Sequence, residues 1–493
     1  MEPLGTITMY YQFLDSEIVD ILDGIMQEAN DYRDFCEQLV EHVITEDLPT
    51  ELAYLAGVHV WNIGSYDLVH RLRPKFGNTI QMLGWIWKTR RREQYESLDK
   101  WAEVVLSEDY EDWIKPGICY EITNFTGRFP ILEASKYLNM GLKFIQQNPK
   151  LDCFMSYLLD GQGMMNSLEG QLQDAISCLE EGVRVAEKYD DKYQASILLF
   201  HLGRLKLNAD ANASWKYFEE SYRTADSIGH VQGAAFAILS MGHVAYVRGE
   251  YDLALQSYFR CKEMCVDADV WDGDHTALYQ ARVYYSMNQG QDALLWAETA
   301  IQELSYADGT PMPETVIGII EKARALVLLE RLSKASELLA NAKKTVLKDG
   351  REDILGLFKY ANGILEVSEG RTLEGMTNLE EAFDIFEQSS NQLLSVPCLV
   401  DLARVEVKNY DIGGDLDNSG PWMSKLEQHA RERDYPGILM EHALLKAEFQ
   451  MKQGAPEAAK KTFAEALTIY DSPSVRTLRK KIEERLQSLA IDA

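Results

Sequence analysis

The sequence predicts an all-α protein built as a stack of helix-turn-helix units, and two observations carry that reading. Eight small residues stand about forty positions apart: Gly163, Gly203, Gly242, Ala281, Ala323, Gly363, Ala403 and Ala447. In six of these cases another small residue follows twelve positions later: Ala175, Ala254, Ala293, Ala335, Gly375 and Ala459. Such a period marks one supersecondary unit that is copied, because a lone unit cannot bury its apolar face.

Taken in order, residues 15 to 45 read as a helical hairpin. Its apolar faces are Ile18, Ile21, Leu22 and Ile25, then Phe35, Leu39, Val43 and Ile44. Residues 50 to 76 read as a shortened repeat, and residues 1–77 together are expected to cap the stack. The array proper is expected over 78–472. Leu83-Gly84 with Trp101, and Ile122-Thr123 with Ala134 and Leu142, are its faintest copies. The Gly203 copy has a degenerate turn, Asn208 to Ala211, and the Ala403 copy carries an inserted loop, YDIGGDLDNSGPW. Residues 473–493 are expected to form a closing helix, capped by Ser474 and amphipathic through Val475, Leu478, Ile482, Leu486 and Leu489.

The clearest unit runs from Ala235 to Val266. Gly249 breaks it into two helices, and Ala254, Tyr258 and Cys261 share one face of the second. Two antiparallel helices approach closely only where side chains are small, so Gly242 and Ala254 are expected to supply the contact and Tyr258 to fill the gap beside it. Gly242, Gly249, Tyr251, Ala254, Tyr258 and Cys261 stand in the pattern of the tetratricopeptide repeat family, which this chain resembles. Ala447, Gly454, Ala459, Phe463 and Ala466 give another strong copy. The resemblance implies a right-handed α-α superhelix with a concave groove. The period exceeds the family's usual one of about thirty-four residues. In this the chain is similar to the sensor arms of signal-transduction ATPases and to other signalling adaptors.

Composition narrows the function classes. The formal net charge is −29, from 49 Lys+Arg and 78 Asp+Glu. A surface this acidic repels phosphate backbones, so nucleic acid is not an expected partner. Seven scattered cysteines without a CxxC pair fit reduced thiols in a cytoplasmic chain. There is no basic, apolar leader and no stretch of eighteen apolar residues, so neither secretion nor a membrane span is expected.

Chemical motifs fail on spacing. There is no GxxxxGK[ST] loop, no HExxH and no GxSxG. GQGMMN, from Gly161, has no preceding strand. In Asp267 to His275, Trp271 and Leu278 occupy ligand places of a calcium loop. Asp411, Asp415 and Asp417 in the inserted loop leave a weak ion site open. No cofactor, no metal and no enzymatic activity are expected.

The residue after the small anchor is Arg204, His243, Arg282, Arg324 and Arg404 in five copies, with Asn208 and Lys408 one turn further on. The resemblance places this register in the concave groove, where it contacts a bound peptide. A guanidinium grips a carboxylate through paired hydrogen bonds. The partner implied is a protein or peptide with acidic side chains or a terminal carboxylate. The alternative is that these arginines pair with helix-B glutamates: Glu180, Glu220, Glu298, Glu337, Glu380 and Glu381. A second basic cluster, Lys88 with Arg90, Arg91 and Arg92, reads as a solvated turn or a docking point. The expected function is a non-enzymatic interaction scaffold. A ligand-sensing module of a signalling or transcription system is the alternative, and an enzyme on a helical solenoid is a remote one.

Overall fold

The structure is a computed structural model, and it describes residues 12–45, 55–57, 59–60, 68, 71–72, 107, 112–125, 131–267, 276–305, 314–409, 420–469 and 472–491. The Lys88 cluster, the Leu83–Trp101 copy, the turn up to His275 and the aspartates of the inserted loop lie outside the described residues. The chain divides into two compact units, residues 1–238 with 263–271, and residues 239–262 with 272–493.

In the first unit, α1 (Ser16–Glu28) and α2 (Tyr32–Thr45) form the N-terminal hairpin. Ile18, Leu22, Phe35, Leu39 and Val43 are buried there, and Ile21, Ile25 and Ile44 pack against them. The pairs α3 (Ile114–Phe125) with α4 (Ile131–Gln147), α5 (Met155–Leu168) with α6 (Leu172–Lys188), and α7 (Lys192–Lys206) with α8 (Ala211–Ser227) follow. Aspartates start several helices: Asp191 Oδ1 accepts from Gln194 N–H at 3.0 Å and Asp210 Oδ1 from Ala213 N–H at 2.9 Å, each satisfying a donor that has no partner within its helix.

Helices α9 (Val231–Val247) and α10 (Tyr251–Asp267) form the unit around Gly242. The second unit continues with α11 (Thr276–Ser286) and α12 (Gly290–Glu303), α13 (Thr315–Leu328) and α14 (Leu332–Asp349), and α15 (Glu352–Ser368) and α16 (Thr372–Gln388). It ends with α17 (Gln392–Asn409) and α18 (Pro421–Arg433), α19 (Pro436–Lys452) and α20 (Pro456–Ile469), and α21 (Arg476–Ile491). Each A helix packs against its own B helix and, in most repeats, against the next A helix. The fold is thus an all-α array of tetratricopeptide-type hairpins.

The anchors explain the period. A Cβ on Gly163 would meet Leu179 at 2.8 Å, on Gly203 the Phe218 ring at 2.6 Å, and on Gly242 the Tyr258 ring at 2.5 Å. Each copy therefore seats a large B-helix side chain on a bare patch of the A helix, at the density of a protein interior. The Glu406 carboxylate accepts from the N–H groups of Trp422 and Met423 at 3.0 and 2.9 Å and so seats the start of α18.

The second unit also meets itself. Gly437 N–H and Ile438 N–H donate to the Arg248 carbonyl at 3.0 and 3.3 Å. A Cβ on Gly437 would lie 2.1 Å from the Gly249 oxygen, so only two glycines allow this approach. Ser474 Oγ donates to Glu250 Oε1 at 2.8 Å, and Asp252 accepts from Thr477 N–H and Oγ1–H at 2.9 and 2.7 Å. The first turn of α21 is thus held by Asp252, some 225 positions upstream, and Ser474 serves as a donor rather than a cap.

Candidate binding site

The register after each anchor is split by these packings. In the first unit Arg204 and Asn208 are exposed, and the Arg204 guanidinium lies 6.0 Å from the Phe200 ring. Nearby, fully buried Asp160 receives His201 Nδ1 at 2.6 Å, Tyr120 O–H at 2.7 Å and Gln194 Nε2–H at 3.3 Å. At the start of the second unit, His243 Nδ1 lies 2.9 Å from the Tyr258 hydroxyl and its ring stands edge-on to Tyr279.

Arg282 and Arg324 are buried, at 7% and 1% exposure. Both use one carboxylate: Arg282 Nε–H donates to Glu321 Oε1 at 2.7 Å and Arg324 Nη1–H to Glu321 Oε2 at 2.6 Å. Arg324 is also sandwiched between the rings of Tyr285 and Tyr360, at 4.0 and 4.2 Å, where a cation gains from two electron-rich faces. Both phenols donate to Asp401 Oδ2, at 3.0 and 2.7 Å. Asp401 Oδ1 accepts from Arg404, whose other nitrogen lies 3.8 Å from Glu441 Oε2. One polar chain therefore runs from Arg282 through Glu321, Arg324, the two tyrosines, Asp401 and Arg404 to Glu441.

Its charges hold one another. Burial alone would raise the Glu321 carboxyl, but the guanidinium groups of Arg324 and Arg282 outweigh it and hold it below the usual range. Burial likewise disfavours the Arg324 cation, and Glu321 more than restores it. Burial and the Asp401 charge push Tyr285 and Tyr360 well above the usual phenol range, so both remain hydrogen-bond donors.

The row opens at its far end. Arg404 is 39% exposed along its side chain, Lys408 is exposed, and both line a cavity of about 550 Å³. The C-terminal ends of four A helices build most of it: Tyr285 from α11, Val327 and Leu328 from α13, Ile364 and Val367 from α15, and Asp401 and Val405 with the two cations from α17; Leu332 at the start of α14 and the polar Asn288, Glu330 and Ser368 complete the lining. Ile364 occupies the register held by arginine in the flanking repeats and turns that stretch of wall apolar. An apolar wall with a few convergent polar groups is the usual make-up of a ligand pocket.

The acids facing Arg282, Arg324 and Arg404 are thus Glu321, Asp401 and Glu441 on A helices. Two of the helix-B glutamates pair with lysines, Glu298 with Lys322 at 2.8 Å and Glu381 with Lys359. A sequence signal for this existed: Glu321–Arg324 and Asp401–Arg404 are both i,i+3 pairs, eighty residues apart. Nothing in the sequence pointed to Tyr285 and Tyr360 as a clamp. Among the described residues no group of three His, Cys, Asp or Glu could hold a metal ion, and no helix is long and apolar enough to cross a membrane.

No protein-family model matches the chain, and no curated protein does. Solved structures similar to it include BtubC from P. vanneervenii, with a TM-score of 0.39 and 14% identity over 45% of this chain and 91% of that one. The Rap protein complexed with Competence and Sporulation Factor has a TM-score of 0.41 and 15% identity over 68% of this chain and 98% of that one. The apo quorum sensor NprR from B. thuringiensis has a TM-score of 0.43 and 13% identity over 75% of this chain and 97% of that one.

Proposed function

We propose that this chain is a non-enzymatic interaction scaffold that holds a segment of a partner protein or a peptide at the Arg404–Lys408 cavity. One observation carries the reading: Arg404 of the anchor register and Lys408 one turn on line a largely apolar cavity large enough for several side chains, in which Asp401 is already held by Arg404 and Glu330 is the other acid. Arg282 and Arg324 are committed to Glu321 and serve as the frame. The partner fitting this chemistry has an apolar residue beside an acidic side chain or a terminal carboxylate. The apolar group lies against Val327, Leu328, Ile364 and Val367, and the carboxylate meets Lys408 and Arg404. One well-formed charge-assisted bond contributes about 1.5–3 kcal/mol, a tenfold or greater change in affinity.

A panel of short peptides ending in a free carboxylate or in an amide, read by fluorescence anisotropy, tests this. Peptides with a carboxylate next to a branched apolar residue are expected to bind. Lys408→Glu, at an exposed position, is expected to weaken them at least tenfold while leaving the circular dichroism spectrum unchanged. Equal binding by the variant, or equal binding of free and amidated ends in peptides without acidic side chains, would remove the cavity from the account.

A further inference from the structure

In an open solenoid each repeat touches only its neighbours. The second unit departs from that rule, because α9–α10 around Gly249 meets the start of α19 and of α21. We propose that this meeting is a reversible latch over the arginine–tyrosine interior.

The chemistry on the two sides of the latch argues for reversibility. Among the described contacts, its fastenings are two backbone hydrogen bonds to the Arg248 carbonyl, the Ser474–Glu250 bond, the paired Thr477–Asp252 bonds and the glycine-to-glycine approach. Each of these groups exchanges its partner for water when the latch opens, so the net cost of each is small. The interior behind it combines buried phenols, Tyr246, Tyr251, Tyr285 and Tyr360, with charged groups. Arg282, Glu321, Arg324, Asp401 and Glu441 are all under 10% exposed, and water can solvate them without the penalty attached to an apolar core. Three atoms of that interior would gain by it: Arg324 Nε, Arg324 Nη2 and Glu441 Oε1 are buried and have no hydrogen-bond partner among the described residues. Opening breaks no anchor contact, since each anchor lies within its own hairpin. A hairpin can therefore swing as a unit while its own helices stay packed, which is the low-energy class of motion in a repeat protein.

The latch also connects with the site. Glu441 and Gly437 share α19, and Arg404 reaches Glu441 from the cavity wall. A ligand carboxylate that draws Arg404 toward the cavity loosens its hold on α19. That last step rests on the cavity reading; the latch itself does not.

The test uses the full chain with Glu250→Cys and Ser474→Cys, two side chains now in hydrogen-bond contact. A short bis-maleimide is expected to bridge the two thiols, detected by mass spectrometry after digestion. Hydroxyl-radical footprinting then reads Tyr246 and Tyr360, which are 3% and 0% exposed. Labelling of both is expected to be at least threefold lower in the bridged chain than in the same chain capped with N-ethylmaleimide. In the otherwise unaltered chain, Asp252→Ala is expected to raise it. Failure of the bridge to form would show that the two ends do not meet. Equal labelling in the bridged and capped forms, with no rise in Asp252→Ala, would show a permanent seam instead of a latch.

Discussion

Replacing Glu321 by glutamine removes one negative charge from between two buried guanidinium groups while keeping volume and shape. Arg282 and Arg324 each place a donor on that carboxylate, at 2.7 and 2.6 Å, and neither is more than 7% exposed. Neither cation can shed its proton, and neither can reach bulk water without opening the repeat. Removing one partner of a buried pair costs about 3–5 kcal/mol, because the penalty of the stranded charge stays. The two tyrosine faces offset part of this for Arg324, by about 2 kcal/mol when desolvated, but they are already in place in the parent and add nothing new. For a unit of this size each kcal/mol lowers Tm by about 2–4 °C, so Glu321→Gln is expected to lower the melting transition by roughly 10 °C. Calorimetry on the parent, on Glu321→Gln and on Lys322→Ala reads this. Lys322 pairs with Glu298 near the surface, and its loss should cost under about 1 kcal/mol. If Glu321→Gln melts within 2 °C of the parent, the buried ion chain does not exist as described.

Gly203→Ala is expected to destabilise by about 1–3 kcal/mol, because its Cβ would stand 2.6 Å from the Phe218 ring. Gly24→Ala meets nothing within 4 Å and should stabilise α1 by about 0.5–1 kcal/mol; urea titration of both separates packing from propensity. Burial pushes the Asp191 carboxyl up to about 6 despite its cap bond from Gln194. The folded chain therefore keeps a proton between about pH 4 and 6 that the unfolded chain has released, and stability falls as pH rises through that window. Asp191→Asn retains the cap oxygen and is expected to flatten this slope; an unchanged slope in melting runs from pH 4 to 7 would show that Asp191 does not carry it.

The repeat was legible because its cause is local. Gly242 against Tyr258 and Gly163 against Leu179 are contacts within one hairpin, so each copy writes the same small residue at the same place. The arginine register was legible for the same reason. What that register faces was legible in part: Arg324 and Arg404 meet acids three positions upstream, and Arg282 meets one a repeat away, whereas the tyrosine clamp and the closing contacts join residues with no fixed spacing. Tyr285 meets Asp401 across 116 positions, and Asp252 meets Thr477 across 225; among the described residues such meetings recur in no other copy, and they leave no period to read. The cavity was half legible: Arg404 and Lys408 stood out, whereas Ile364 was passed over because it breaks the row, and that break supplies the apolar wall.

The glycine pair at 249 and 437 bears on how this chain can change over time. An array whose members touch only their neighbours tolerates the gain or loss of a copy, since the rest of the stack is undisturbed. Here the two glycines meet only if the intervening hairpins number what they do. Deleting the forty residues from Leu332 to Arg371, or duplicating them, would preserve every local contact type and still move Gly437 out of reach. A change of copy number in the second unit therefore costs the glycine contact, which substitutions elsewhere leave intact.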